Sequence, residues 1–84
     1  MSNQMSNQID NLQVENNQLK DQSFKDTIFK QFDLINGKII NCNFQSCQFI
    51  DCDFTKCTFD NVDMKNTKFI NCKLDYAGKH KYFY

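Results

Sequence analysis

Four cysteines spaced five residues apart, Cys42, Cys47, Cys52 and Cys57, with a fifth at Cys72, are the side chains of this sequence best suited to chemistry. Four thiolates meeting at one point would hold a tetrahedral zinc ion. The remaining sequence supports no active site. His80 is the only histidine, and no serine, cysteine or carboxylate stands at a spacing that would build a triad around it. Gly37 and Gly78 are the only glycines, and neither opens a helix that could cradle a phosphate. Asp51, Asp53, Asp60 and Asp63 lie near Lys56 and Lys65 and read as solvated surface. The cysteine spacing has a plainer meaning. Each of the four precedes a phenylalanine by two residues, so cysteine acts as the small hydrophobe of a repeated core. No catalytic, cofactor or metal residue is assigned.

The elements that would hold such a core follow from the period. Stepping by five from Phe24 gives Phe24, Phe29, Leu34, Ile39, Phe44, Phe49, Phe54, Phe59, Met64, Phe69 and Leu74. The position two before each is small where the repeat is cleanest, from Cys42 to Cys72, and poorly filled by Gln22 and Phe32. An α-helix turns about 500° in five residues and would scatter these side chains around its surface. A straight strand would alternate them between its two faces. The chain must therefore turn after every unit, with both inward residues on a short extended segment. Four corners of about 90° close a square coil of twenty residues, and stacked coils pair as parallel bridges about 4.8 Å apart. Residues twenty apart then form apolar columns: Phe24, Phe44 and Met64; Phe29, Phe49 and Phe69; Leu34, Phe54 and Leu74; Ile39 and Phe59. Lys79 falls beneath Phe59 and is expected to end the winding.

Units such as Cys42-Asn-Phe-Gln-Ser46, Cys47-Gln-Phe-Ile-Asp51, Cys52-Asp-Phe-Thr-Lys56 and Cys57-Thr-Phe-Asp-Asn61 resemble the pentapeptide-repeat family. The resemblance implies an all-β fold, a right-handed quadrilateral β-helix of about three coils with a dry interior, over residues 22–78. Asn36-Gly37 is a strong hairpin dipeptide in isolation. The five-residue register runs through it without slipping, so no hairpin is expected there.

Two flanks remain. Residues 1–21 are polar and read as a separate segment: a short oligomerising helix, a helix folded back over the first coil, or a disordered tail. A heptad with Ile9 and Asn16 at a, and Met5, Leu12 and Leu19 at d, would support a parallel dimer but leaves Val14 outside. Residues 79–84 end in Tyr82, Phe83 and Tyr84, which are expected to cap the open end or pack on a second copy. Outward Ile28, Ile50 and Ile70 share one face and form a candidate contact stripe, although isoleucine suits any exposed strand.

Eighty-four residues make a single domain whose core leaves a margin of only about 3 to 5 kcal/mol. Ten lysines balance ten acids and are interspersed, so a nucleic-acid partner is not expected. An odd number of cysteines points to reduced thiols in the cytoplasm, and neither a leader nor an apolar run of about 18 residues is seen. The function expected is a non-enzymatic structural or protein-interaction module that self-associates, a dimer above all. The resemblance also offers an alternative, since some of that family mimic DNA and inhibit type II topoisomerases. A chain with under three coils and no net negative charge departs from that pattern.

Overall fold

Every fifth residue from Asn11 to Tyr76 adopts a positive φ, between 53° and 61°. Such left-handed geometry costs an ordinary residue about 1–2 kcal/mol, and Asn and Asp tolerate it best because their short side chains bond locally. Ten of these fourteen corners are Asn or Asp, so the turn after each unit is written into the local sequence. The computed structural model describes residues 7–83, with the backbone alone for Lys79–Phe83.

Between corners the chain runs straight, in eight strands: β1 Asn7–Asp10, β2 Gln18–Lys20, β3 Thr27–Lys30, β4 Lys38–Ile40, β5 Gln48–Ile50, β6 Thr58–Asp63, β7 Lys68–Ile70 and β8 Gly78–Phe83. They form two parallel four-stranded sheets, in the orders β1-β3-β5-β7 and β2-β4-β6-β8. Isolated parallel bridges, Ser23 to Asn43 to Asp63 and Asp33 to Asp53 to Lys73, close the other two faces. Pairing keeps the twenty-residue register throughout, as in Phe29 with Phe49 and Phe49 with Phe69. Asn36 is one of the corners and Gly37 lies buried inside the coil. An added Cβ at Gly37 would stand 2.5 Å from Leu34 Cγ and 2.8 Å from the Asn17 carbonyl oxygen, so this small site admits nothing larger than glycine.

The interior is a dry stack. Phe29, Phe44, Phe49 and Phe54 are fully buried, with Cys47, Cys57 and Val62 filling the small sites between them. Rings twenty apart lie nearly parallel, with centroids 4.9 Å apart for Phe29 and Phe49 and 5.2 Å for Phe49 and Phe69. Rings on adjacent faces meet edge to face, at 5.1 Å for Phe44 and Phe49 and 5.3 Å for Phe49 and Phe54. Both arrangements suit the ring quadrupole.

Two expectations are corrected. Residues 7–21 form neither an α-helix nor a disordered tail: apart from one 3-10 turn at Glu15–Asn17, they wind as a further coil, with β1 on β3 and β2 on β4. Ile9, Val14 and Leu19 continue the five-residue series inward, and the positive φ of Asn11, Asn16 and Asp21 forbids an α-helix through the proposed heptad. Met5 lies outside the described residues. The winding also does not stop at Lys79. Strand β8 pairs Phe59 with Lys79 and carries on to Asp63 with Phe83, so the backbone of the tail extends the sheet instead of folding over the end. A backbone ladder does not require every residue in it to be apolar.

The poor fits of the first repeats resolve in different ways. Phe32 is fully buried against Phe29, Phe49 and Phe54, above the smaller Cys52 of the same column. Gln22 is exposed, its amide donating to the Lys20 carbonyl at 3.3 Å. Asn17 takes a second positive φ of 54° and donates through Nδ2 to the Ile35 carbonyl at 2.9 Å, linking its coil to the next without entering the core.

Candidate interaction surface

The thiols occupy four different faces and serve the stack. Cys42 Sγ donates to the carbonyls of Leu19 and Ile40, at 3.5 and 3.3 Å, and Cys47 Sγ to that of Phe24 at 3.4 Å. Cys72 Sγ reaches the Phe49 carbonyl at 3.1 Å, and Thr67 Oγ1 makes the equivalent bond to Phe44 at 2.7 Å. A small residue with a hydrogen to donate thus ties each coil to the one before it. Burial pushes the Cys42 and Cys47 thiols up, and those of Cys52 and Cys57 up to about 12. A thiol held protonated and out of reach is a poor nucleophile and a poor metal ligand. Among the described residues, no three His, Cys, Asp or Glu side chains converge where a cation could sit.

The corners carry a second set of ladders. Asn41 Nδ2 donates to Asp21 Oδ1 at 2.7 Å and Asn61 Nδ2 to Asn41 Oδ1 at 2.8 Å, while Asn71 Nδ2 donates to Asp51 Oδ1 at 2.6 Å. Beside them run shallow grooves, one lined by Ser23, Asn43 and Asp63, another by Asp33, Asp53 and Lys73. Asp53 accepts from the hydroxyl and the backbone N–H of Thr55, which with Lys73 hold its carboxyl below the usual range. This is local bonding of a surface turn, without a buried partner that could move a proton.

The three isoleucines share the β1-β3-β5-β7 face in two adjacent columns. Ile50 and Ile70 stack in one outward column below Lys30, but Ile28 belongs to the neighbouring column, between Gln8 and Gln48. Ile70 is exposed, whereas Ile28 and Ile50 are half-buried. Tyr82 and Phe83 lie on β8, and Tyr84 lies outside the described residues. Among the described residues the largest apolar exposure is elsewhere, at Tyr76. At the C-terminal end Leu74 is 41 % and Tyr76 85 % exposed, beside the open edge of β7. Tyr76 is a corner residue, legible in the sequence only after the corners are recognised as a series of their own.

A square rod of stacked five-residue units, with small and large residues alternating inward, defines the class: a quadrilateral β-helix. Residues 38–75, a little under half of the chain, match the pentapeptide repeats in eight copies. No curated protein and no solved structure shows a significant match. Among the described residues no helix is long and apolar enough to cross a membrane.

Proposed function

We propose that this chain is a non-enzymatic interaction module of the cytoplasm, which self-associates and offers rigid outer faces to a protein partner. The observation that carries this reading is the C-terminal end, where Leu74, Tyr76 and the half-buried Phe69 adjoin a strand edge with no partner among the described residues. Open edges and exposed rings are stabilised by a second surface. The side chains capable of chemistry are meanwhile engaged in packing, which supports a binding role over a catalytic one. DNA mimicry calls for one continuous acidic face, and the outward columns here mix signs, as in Asp33, Asp53 and Lys73.

Sedimentation velocity over rising concentration, with affinity capture from the source cells, tests the proposal. Association beyond the monomer and saturable capture of a protein are expected. Serine in place of Tyr82, Phe83 and Tyr84, or Ile50→Asp with Ile70→Asp, identifies which group contributes. A protein that remains monomeric at high micromolar concentration and captures nothing sinks the reading.

A further inference from the structure

The charges that look interspersed along the sequence are sorted along the axis of the rod. The first described coil, residues 7–26, holds four acids (Asp10, Glu15, Asp21 and Asp26) against Lys20 and Lys25, a net −2. The last coil, residues 64–83, holds five lysines (Lys65, Lys68, Lys73, Lys79 and Lys81) against Asp75, a net +4. The rod is therefore acidic at one end and basic at the other, while the chain as a whole is neutral.

We propose that copies of this chain join head to tail, the last coil of one rod stacking on the first coil of the next in the same twenty-residue register. This rests on the self-association proposed above and specifies its geometry. A helix wound from one chain ends in a step one coil high, and that step fixes the rotation at which two ends fit. Residues 7–83 fill 77 of the 80 positions in four full coils, so the two steps lie within three residues of the same azimuth. Strand β7 of one copy then meets β1 of the next, and β8 meets β2, with every strand parallel as it is inside the rod. Phe69 falls on Ile9 and Leu74 on Val14, four positions that the single rod leaves half-buried or exposed. Asn71 falls on Asn11, extending a corner column, and the backbone register sets Lys81 over Asp21. Lys68 and Lys73 stand diagonally across from Asp10 and Glu15, within the screening length of about 8 Å. Two contacts are unfavourable, because Asp75 falls on Glu15 and the backbone register sets Lys79 over the core residue Leu19. A heterologous contact of this kind does not close, so it grows into a series of oligomers instead of stopping at two. With a cross-section of 23 × 22 Å each end covers about 500 Å², near the lower limit for a specific interface, so the association is concentration-dependent.

Charge reversal tests the geometry in the full chain, with circular dichroism confirming that each variant is folded. Wild type is expected to sediment as a concentration-dependent series reaching beyond the dimer, and to dissociate in about 1 M salt, where screening shortens to about 3 Å. Asp10→Lys with Glu15→Lys makes both ends basic, and Lys68→Glu with Lys73→Glu brings the last coil to zero net charge and sets two acids diagonally across from Asp10 and Glu15. Each variant alone is expected to associate at least about tenfold more weakly. An equimolar mixture of the two should recover the series, since their unlike ends are again complementary. Asp75→Lys, which removes the one like-charge contact, should tighten it. A monomeric wild type would overturn this inference and the self-association reading together. A closed dimer, association unchanged by the reversals, or folded variants that stay apart when mixed would overturn the head-to-tail geometry alone.

Discussion

In the coil from Cys42 to Asn61 the inward positions hold four cysteines and four phenylalanines, all buried; in the coil from Asn7 to Asp26 they hold Asn7, Ile9, Leu12, Val14, Asn17, Leu19, Gln22 and Phe24, of which only Leu19 is buried. Both wind in the same register. Their corners differ in the opposite sense. The first coil turns on Asn11, Asn16, Asp21 and Asp26, whereas the richer coil turns on Ser46, Asp51, Lys56 and Asn61. Where apolar filling is poor, all four corners are residues that favour the left-handed turn; where filling is rich, a serine and a lysine suffice. Winding is thus specified locally by the corners, and cohesion is supplied by the core.

The largest break in this comparison comes from one column. Phe54 and Val14 stand at equivalent inward positions, fully buried and half-buried respectively. Phe54→Asp buries an unpaired carboxylate at a cost of several kcal/mol, as large as the stability of so small a domain. It is expected to abolish the cooperative melt followed by circular dichroism. Val14→Asp, whose carboxylate can reach water, should leave a folded rod with a lower melting temperature. Equal damage at both positions would mean that the first coil is as cohesive as the middle one.

Alkaline pH acts on the richer coil next. An unfolded thiol ionises near 9.0, while Cys52 and Cys57 inside the fold ionise at about 12. Between those values the unfolded chain binds fewer protons than the folded one, so stability falls as pH rises. Their contribution is fully present below pH 9.0 and is lost as pH approaches about 12. Melting temperature measured against pH should decline above pH 9, and Cys57→Ala should flatten the decline. In neutral buffer these thiols are expected to label slowly when native and fast in denaturant, and a zinc chelator should leave the melt unchanged.

How much of this was legible in the sequence depends on which series is counted. The column of Phe29, Phe49 and Phe69 announces itself through bulk, and the four cysteines through spacing. The first coil hid because Ile9, Leu12, Asn16 and Leu19 also satisfy a heptad, and because Asn17 and Gln22 break the rule of a small inward residue. Counting corners instead of core residues would have found it, since Asn11, Asn16, Asp21 and Asp26 keep the period of five. The axial sorting of charge needs the coil length before it can be seen, because a linear reading mixes residues that the winding separates. The offset of Ile28 from the column of Ile50 and Ile70 was legible, since the twenty-residue period already sets Ile28 over Gln48, as the pairing shows.

Gly37 and Asn41 sharpen the division between filling and turning. Gly37→Ala would ordinarily stabilise a chain slightly by restricting its unfolded state. Here the new methyl meets Leu34 and a carbonyl of the coil above, so a loss of about 1–3 kcal/mol is expected in urea titrations. Asn41 is both a corner, with φ 55°, and the middle of the Asp21-Asn41-Asn61 ladder. Asn41→Ala should cost about 1–2 kcal/mol. Asn41→Gly keeps the turn and loses only the ladder, so a penalty of less than about 1 kcal/mol assigns most of the effect to the backbone.

The smallest effect concerns a face that neither turns the chain nor fills it. Asp53 lies on the outer surface, and its carboxyl is held below the ordinary value of 3.8 first by the Thr55 hydroxyl at 2.6 Å, then by the Thr55 backbone N–H, with Lys73 adding attraction. A carboxylate with a depressed folded pKa contributes stability that is present above its unfolded value and lost as pH falls through the folded one. For so exposed a group that contribution is screened by solvent. The clean readout is therefore the titration of the Asp53 carboxyl carbon by NMR. Thr55→Val removes the hydroxyl and keeps the backbone bond, so the midpoint should move up toward 3.8 without reaching it, and Lys73→Met should move it less. A larger shift from Lys73→Met than from Thr55→Val would show that charge along the column, more than bonding within the turn, governs this face. It would also make the axial field of the rod stronger than the sorting of its lysines suggests.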